Sequence, residues 1–239
     1  VDMSAVGLRA GGLQSIQQVL ALACPYLESL YPTPMPEELP AGHPVATAAR
    51  RLAQALGLGG IRVATGRADW PGAASGLGDP VPLVISPALE QDPGGAEFRF
   101  WVGRALCGAA NSATLLDRLS DDDLDELLDA LCTPRPMSRS AAALKKQLGK
   151  LLPRKLRKQL EAITPATSPD DLRRYRELEQ LRADRVGLVM SRNPGAGIAE
   201  LAKAEGIAAE ANTATPRLAA LMRYVLSEDY ARAARTLWV

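Results

Sequence analysis

Apolar and polar positions follow a helical period over most of this chain. Between residues 13 and 30 apolar side chains recur every three or four positions, and the same period returns from residue 120 onward. Shorter apolar runs at 61–65, 73–77 and 82–85, bounded by glycine and proline, predict strands instead. The pattern therefore predicts an α+β, mainly α fold with a small β-sheet of two to four strands.

One stretch, 81–108, organises the first half of the chain. It opens as a strand in which Pro82 predicts an edge or first-strand position. It then turns at Ser86-Pro87 and enters a helix that starts near Ala96. That helix is apolar nearly all round, which predicts that it is buried.

A second stretch, 177–190, forms part of a long helix that begins after a serine cap at Ser168. Three of its polar residues lie three and four positions apart and so share one helix face: Glu177, Gln180 and Asp184.

The strand, the SPAL turn, the helix EFRFWVGRALCGA and the later run ADRVGL resemble the active-site region of the CAAX-prenyl-endopeptidase-like zinc metallopeptidases. In that family the first helix carries H-E-x-x-H, with two zinc-binding histidines and a glutamate that acts as general base. A later helix carries E-x-x-x-D, whose glutamate is the third ligand. The resemblance spans roughly Ile61 to Met190 and implies a zincin-like domain over 41–239.

The resemblance also bears on residues 1–40, which hold an N-terminal helix and a proline-rich link. Degenerate domains of this kind occur in large bacterial tetratricopeptide-repeat proteins. This helix is therefore either packed on the domain or the end of a preceding helical repeat. Because the chain begins with Val rather than Met, we expect it to be a piece of a longer protein.

The residues that hydrolysis requires are replaced in this chain. Arg104 and Gly108 stand at the two histidine positions, Ala105 at the general base and Gln180 at the third ligand. Asp184, which supports the family's site from outside the ligand set, remains. The resemblance therefore implies a pseudo-peptidase rather than an enzyme.

The scarcity of metal-binding side chains agrees with this interpretation. The chain has one histidine, His43, in a proline- and glycine-rich loop. Its cysteines, Cys24, Cys107 and Cys132, are far apart and form no C-x-x-C pair. We therefore predict no zinc site and no cofactor.

Arg104 is a cation in the wall of a helix predicted to be buried, which costs several kcal/mol unless it is paired. We expect it to pair with Asp184, Glu177 or both, with Gln180 nearby, so that a guanidinium occupies the space where the family holds its metal. The alternative is that its aliphatic stem carries the charge out to water.

A basic block is the strongest local charge signal. Every charged residue between 139 and 158 is a cation, and we call this set the basic surface: Arg139, Lys145, Lys146, Lys150, Arg154, Lys155, Arg157 and Lys158. It is either a solvated face opposite the acidic helix that starts at Ser120 or a docking surface for an acidic protein. Nucleic acid is disfavoured because no aromatic residue lies among the cations, and anionic lipid because no Trp or Phe anchors the apolar face.

Composition narrows the cellular setting. The net charge is +1, so no whole-protein field attracts nucleic acid or membrane. Three cysteines, an odd number, favour a reducing compartment, and no segment has the apolar length of a transmembrane helix. We predict a cytoplasmic protein.

The sequence thus predicts a non-catalytic module for protein–protein interaction or scaffolding in a larger bacterial protein, with partners it does not name. Two alternatives remain. One is binding of an acidic partner, nucleic acid or anionic lipid through the basic surface. The other is a metal-independent enzyme in the remaining cleft, although neither Glu177 nor Asp184 has a recognisable nucleophile beside it.

Overall fold

The computed structural model describes residues 13–66, 72–163, 168–207 and 214–237. Trp70-Pro71-Gly72 predicts a loop, and Trp238 at a helical spacing predicts packing against the domain. Trp70, Pro71 and Trp238 lie outside the described ranges. Within them the chain forms ten α-helices: α1 Gln14–Ala23, α2 Pro44–Ala55, α3 Ala96–Ala110, α4 Asp121–Cys132, α5 Arg139–Leu151, α6 Arg154–Glu161, α7 Pro169–Ser191, α8 Pro194–Ala204, α9 Pro216–Val225 and α10 Glu228–Leu237. The four strands are β1 Glu37–Glu38, β2 Ile61–Thr65, β3 Ala73–Ser75 and β4 Val81–Ile85. The predicted class, α+β and mainly α, is confirmed.

The strands form one mixed sheet in the order β1-β2-β4-β3. Strands β2 and β4 are parallel, with Ile61 opposite Val81, and the outer strands are antiparallel to their neighbours. The edge position predicted from Pro82 is wrong, because β4 lies inside the sheet. The Pro82 carbonyl accepts a hydrogen bond from Gly76 N at 2.7 Å just beyond the last residue of β3, so the missing proline N–H falls where that ladder ends.

Two large hydrophobic cores and a small third cluster around Val189 and Tyr224 lie in the described part of the molecule. The first lies between the sheet and the helices α2, α3 and α7, and Phe98 and Leu106 are buried within it. The second joins α1 to α4, α5, α6 and the start of α7, where Ile16, Leu128 and Tyr175 are fully buried. Helix α1 therefore packs on the helices that follow, while the domain boundary at residue 40 stays a prediction.

Two glycines let α3 and α7 approach each other closely. A Cβ at Gly103 would lie 2.9 Å from Met190 Cβ, and one at Gly187 would lie 2.8 Å from the Phe100 carbonyl oxygen. The start of α3 thus meets the end of α7, so the two helices run antiparallel. Helix α7 has 23 residues, yet no helix in the described ranges combines the length and apolar character needed to cross a membrane.

Candidate functional site

Arg104 and Asp184 meet where α3 crosses α7. Arg104 Nε donates a hydrogen bond to Asp184 Oδ1 at 2.9 Å. The Asp184 side chain is fully buried and the Arg104 side chain is 17% exposed, so the guanidinium turns inward rather than out to water. The predicted pairing of Arg104 with Asp184 is confirmed.

A second arginine completes the carboxylate's coordination. Arg217 on α9 donates from Nε to Asp184 Oδ2 at 2.7 Å and from Nη2 to Oδ1 at 2.9 Å. Its Nη1 also donates to Glu205 Oε1 at 3.3 Å. Both oxygens of Asp184 are therefore bonded to guanidinium groups, and we call these four residues the Asp184 cluster.

The start of α9 holds Arg217 in this position. The Thr215 side chain caps the helix by accepting from Leu218 N at 3.3 Å, and it donates to Glu205 Oε2 at 2.8 Å. Pro216 occupies the first turn, where its missing N–H costs nothing. Because Thr215 and Arg217 both bind Glu205, the cap and the cluster are one hydrogen-bonded unit.

The charges of the Asp184 cluster balance, with two arginines against two carboxylates. Burial alone would lower the pKa of Arg217, but the hydrogen bond and charge of Asp184, together with Glu205, raise that pKa above its ordinary value. Arg217 thus remains a cation, and Asp184 is bonded by guanidinium groups from two helices. A carboxylate held in this way is a structural counter-ion rather than a free base.

Glu177 and Gln180 do not join this cluster. Glu177 is exposed and Gln180 half-buried, whereas Asp184 is fully buried, so the shared face turns from solvent into the core along α7. Among the described residues Arg104 pairs with Asp184 and not with Glu177, so one of the two expected partners is observed. The reason is that α3 crosses α7 nearer its carboxyl-terminal half.

A cavity of about 200 Å³ lies beside α3, bounded by Arg104, Ala105, Trp101 and Ser75 among others. The Arg104 guanidinium carbon stands 5.8 Å from the centre of the Trp101 ring. A Cβ at Gly108 would point toward the same wall, at 3.8 Å from Ser75 Oγ. Arg104 and Ala105 therefore line this cavity, and Gly108 lies next to one of its lining residues.

Ser75 and Thr114 share this cavity with the Asp117 carboxylate, but within the described ranges neither hydroxyl is hydrogen-bonded to it. Ser75 Oγ donates to the Ala105 carbonyl at 2.8 Å and lies 3.3 Å from Thr114 Oγ1. A serine nucleophile needs a base that accepts its proton, and a backbone carbonyl does not do this. Neither hydroxyl is set up for covalent catalysis.

The cysteines are equally unsuited to nucleophilic attack. Burial raises the pKa of the Cys107 thiol to about 12, and burial does the same for Cys24 and Cys132. All three remain protonated at neutral pH, and the thiol is a poor nucleophile compared with the thiolate.

A second buried carboxylate lies on α7 close to Cys107. Glu179 Oε1 accepts from Arg182 Nη1 at 2.6 Å, and both residues are buried. Burial raises the pKa of Glu179, while the neighbouring Arg182 lowers it by a smaller amount. This pair is local to one helix and does not border the cavity.

The residues present do not fit a zinc ion. Positions 104, 105, 108 and 180 carry a cation, a methyl group, a hydrogen and an amide instead of imidazoles and carboxylates. Across the described ranges, no three His, Cys, Asp or Glu side chains lie close enough together to hold a metal ion. Arg104, the nearest side chain to Asp184 on α3, would repel one.

The basic surface lies on α5 and α6, which pack on α4 through Ala141, Leu148 and Leu160. Lys145 is half-buried and donates to Glu161 Oε1 at 2.8 Å and to the Thr133 carbonyl at 2.9 Å. The other seven cations are exposed. Within the described ranges none of them forms an ion pair, so the acids of α4 do not neutralise the basic surface.

Comparison with protein-family models, with curated proteins and with solved structures finds no significant match to this chain.

The sequence did not indicate Arg217 or Glu205. Both lie more than twenty residues beyond Asp184. Arg217 reaches Asp184 only because α9 folds back onto α7, and Glu205, at the end of α8, joins the cluster through Arg217. One weak signal was present: the Thr215-Pro216 cap fixes a helix start, which orients the residue that follows.

Proposed function

We propose that this chain is a non-catalytic, peptidase-like module that serves as a protein–protein interaction or scaffold domain of a larger bacterial protein in the cytoplasm. The observation that carries the proposal is the state of Asp184. Its two oxygens are bonded by Arg104 and Arg217 at the helix crossing where the resembling peptidases hold their metal.

Two further observations support the absence of catalysis. The hydroxyls of the cavity beside Arg104 donate to no carboxylate among the described residues, and the thiols are buried and protonated. A metal-independent enzyme in this cleft would need a nucleophile and base within hydrogen-bond reach of each other. Ser75 and Thr114 do not meet that requirement.

Metal content and peptidase activity, measured on one preparation of the full chain, test the non-catalytic half of the proposal. We expect zinc far below one ion per chain and no cleavage of a mixed peptide library, with or without added zinc. One tightly held zinc ion per chain, or peptide cleavage that a chelator stops, would contradict the proposal.

The basic surface supports the interaction half. Seven exposed cations without carboxylate partners among the described residues offer charge complementarity to an acidic protein, and such complementarity speeds and orients association. Nucleic acid and anionic lipid are the competing ligands.

A matched pair of charge reversals tests this surface. Lys146→Glu with Lys150→Glu should abolish co-purification of an acidic protein from a nuclease-treated extract. Arg174→Glu with Arg223→Glu changes the net charge equally at exposed sites elsewhere and should leave recovery unchanged. Equal recovery with both double variants, or loss of the partner on nuclease treatment alone, would remove the basic surface from the proposal.

A further inference from the structure

A second and larger cavity, of about 460 Å³, lies on another side of the molecule from the Asp184 cluster. It is bordered by α2, the turn before α3 and the carboxyl-terminal ends of α7 and α10. It shares no lining residue with the cavity beside Arg104. Any ligand it binds is therefore independent of the proposed loss of peptidase chemistry.

Three arginines from three separate elements border this cavity: Arg51 of α2, Arg99 of α3 and Arg192 at the end of α7. No carboxylate is among its lining residues. The nearest acid along the chain, Asp92, turns its carboxylate over Gly95, where a Cβ would lie 1.9 Å from Asp92 Oδ2. The lining residues therefore carry three positive charges and no negative one, with the Asp92 carboxylate at the edge beside Gly95.

These three arginines differ from the buried ones. Arg104, Arg182 and Arg217 each bind a carboxylate. In the described part of the chain, neither Arg51, Arg99 nor Arg192 has an ion pair or a side-chain hydrogen bond. Cations gathered around one space without a counter-charge repel each other, and an anion bound from outside would remove that repulsion.

The backbone adds two features at the same place. Arg192 closes α7 in the left-handed region at φ 57°, where glycine is favoured over any residue with a Cβ. The backbone thus gives no reason for an arginine there. On another wall, Gly94 in the turn before α3 has φ 98° and borders the cavity without a Cβ.

The remaining wall is apolar and includes Leu52, Met190 and Leu237. A volume of about 460 Å³ matches the usual size of small-molecule sites. Arginine's planar fork suits the oxygens of phosphate, with which it forms paired hydrogen bonds. We propose that this cavity binds an organic phosphate, with its phosphate group among Arg51, Arg99 and Arg192 and its apolar body on Leu52, Met190 and Leu237.

Calorimetric titration of the full chain with three probes at constant ionic strength tests the assignment. Phenyl phosphate should bind more tightly than inorganic phosphate, which lacks an apolar body, and than benzoate, which carries a single charge. Arg99→Gln should weaken phenyl phosphate about tenfold, since each charged hydrogen-bond partner contributes about that factor. Arg174→Gln, at an exposed arginine of α7 outside the cavity, should leave the affinity unchanged.

Arg192→Gly separates binding from folding. Because glycine adopts the left-handed conformation without a Cβ, this variant should keep or raise the melting temperature while it weakens phenyl phosphate about tenfold. Absence of saturable phenyl phosphate binding up to about 10 mM would overturn the proposal. So would tighter binding of benzoate, or equal losses in Arg174→Gln and Arg99→Gln.

Discussion

The Asp184 cluster and the basic surface use the same kinds of side chain in opposite ways. In the cluster, Arg104 and Arg217 are 17% and 30% exposed, and both bind a fully buried carboxylate. On the basic surface seven of eight cations are exposed and lack such partners within the described ranges. The exception, Lys145, is half-buried and paired with Glu161.

The difference follows from solvation. A buried charge must be paired and hydrogen-bonded to offset its lost hydration, whereas water solvates an exposed cation at little cost. Pairing therefore tracks burial in both regions. It also explains why the basic surface remains free to bind a partner, while the Asp184 cluster is already satisfied within the chain.

The largest expected effect is at Asp184. Asp184→Ala leaves two guanidinium groups beside a buried methyl group and should lower the free energy of unfolding by about 3–5 kcal/mol. Urea denaturation measures this loss. Glu177→Ala, at an exposed position on the same helix, should change it by less than about 0.5 kcal/mol. Similar losses in the two variants would erase the distinction between buried and exposed carboxylates.

Each arginine of the Asp184 cluster should contribute less to the free energy of unfolding than Asp184 does. When one arginine is removed, the other still binds the carboxylate. Arg104→Met and Arg217→Met should each cost about 1–3 kcal/mol in urea denaturation. The double variant should cost more than the sum, since Asp184 then loses both guanidinium groups. Strict additivity would mean that the two arginines do not share one carboxylate.

The smallest effects are expected on the basic surface. Lys145→Met removes a partly exposed ion pair and should cost at most about 1 kcal/mol. Lys146→Met, next to it and exposed, should stay within about 0.5 kcal/mol. Thermal unfolding at low and high salt provides the check. Only the loss of stability caused by Lys145→Met should become smaller as the salt concentration increases. A larger loss for Lys146 would show a partner for it within the chain.

The sequence predicted the elements that carry the site. Periodicity located α3 and α7, and apolar runs located β2 and β4 within a residue or two. The serine caps at Ser120 and Ser168 are present as expected. These features depend on neighbouring residues, so local patterns are sufficient to predict them.

The features that the sequence missed depend on distant contacts. The pairing of Arg104 with Asp184 was predictable because a buried cation needs an anion. The binding of Arg217 to the same carboxylate was not predictable. Pro82 was expected on an edge strand, yet β4 lies inside the sheet. The sheet tolerates the proline there because β3 ends at the position where Pro82 lacks an N–H group to donate. Strand order and helix docking are set by packing between segments, which the periodicity of a single segment does not reveal.

The most direct test of the proposed kinship with the zinc peptidases is a zinc titration of a variant that carries the family's ligand types at the four matching positions. Arg104→His, Ala105→Glu, Gly108→His and Gln180→Glu put the family's ligand types back on α3 and α7. Gly108 has room for a side chain, since its Cβ would approach no atom closer than 3.8 Å. If these helices hold the peptidase geometry, the folded variant binds one zinc ion per chain and the wild type binds none. A folded variant that takes up no more zinc than the wild type would contradict the account.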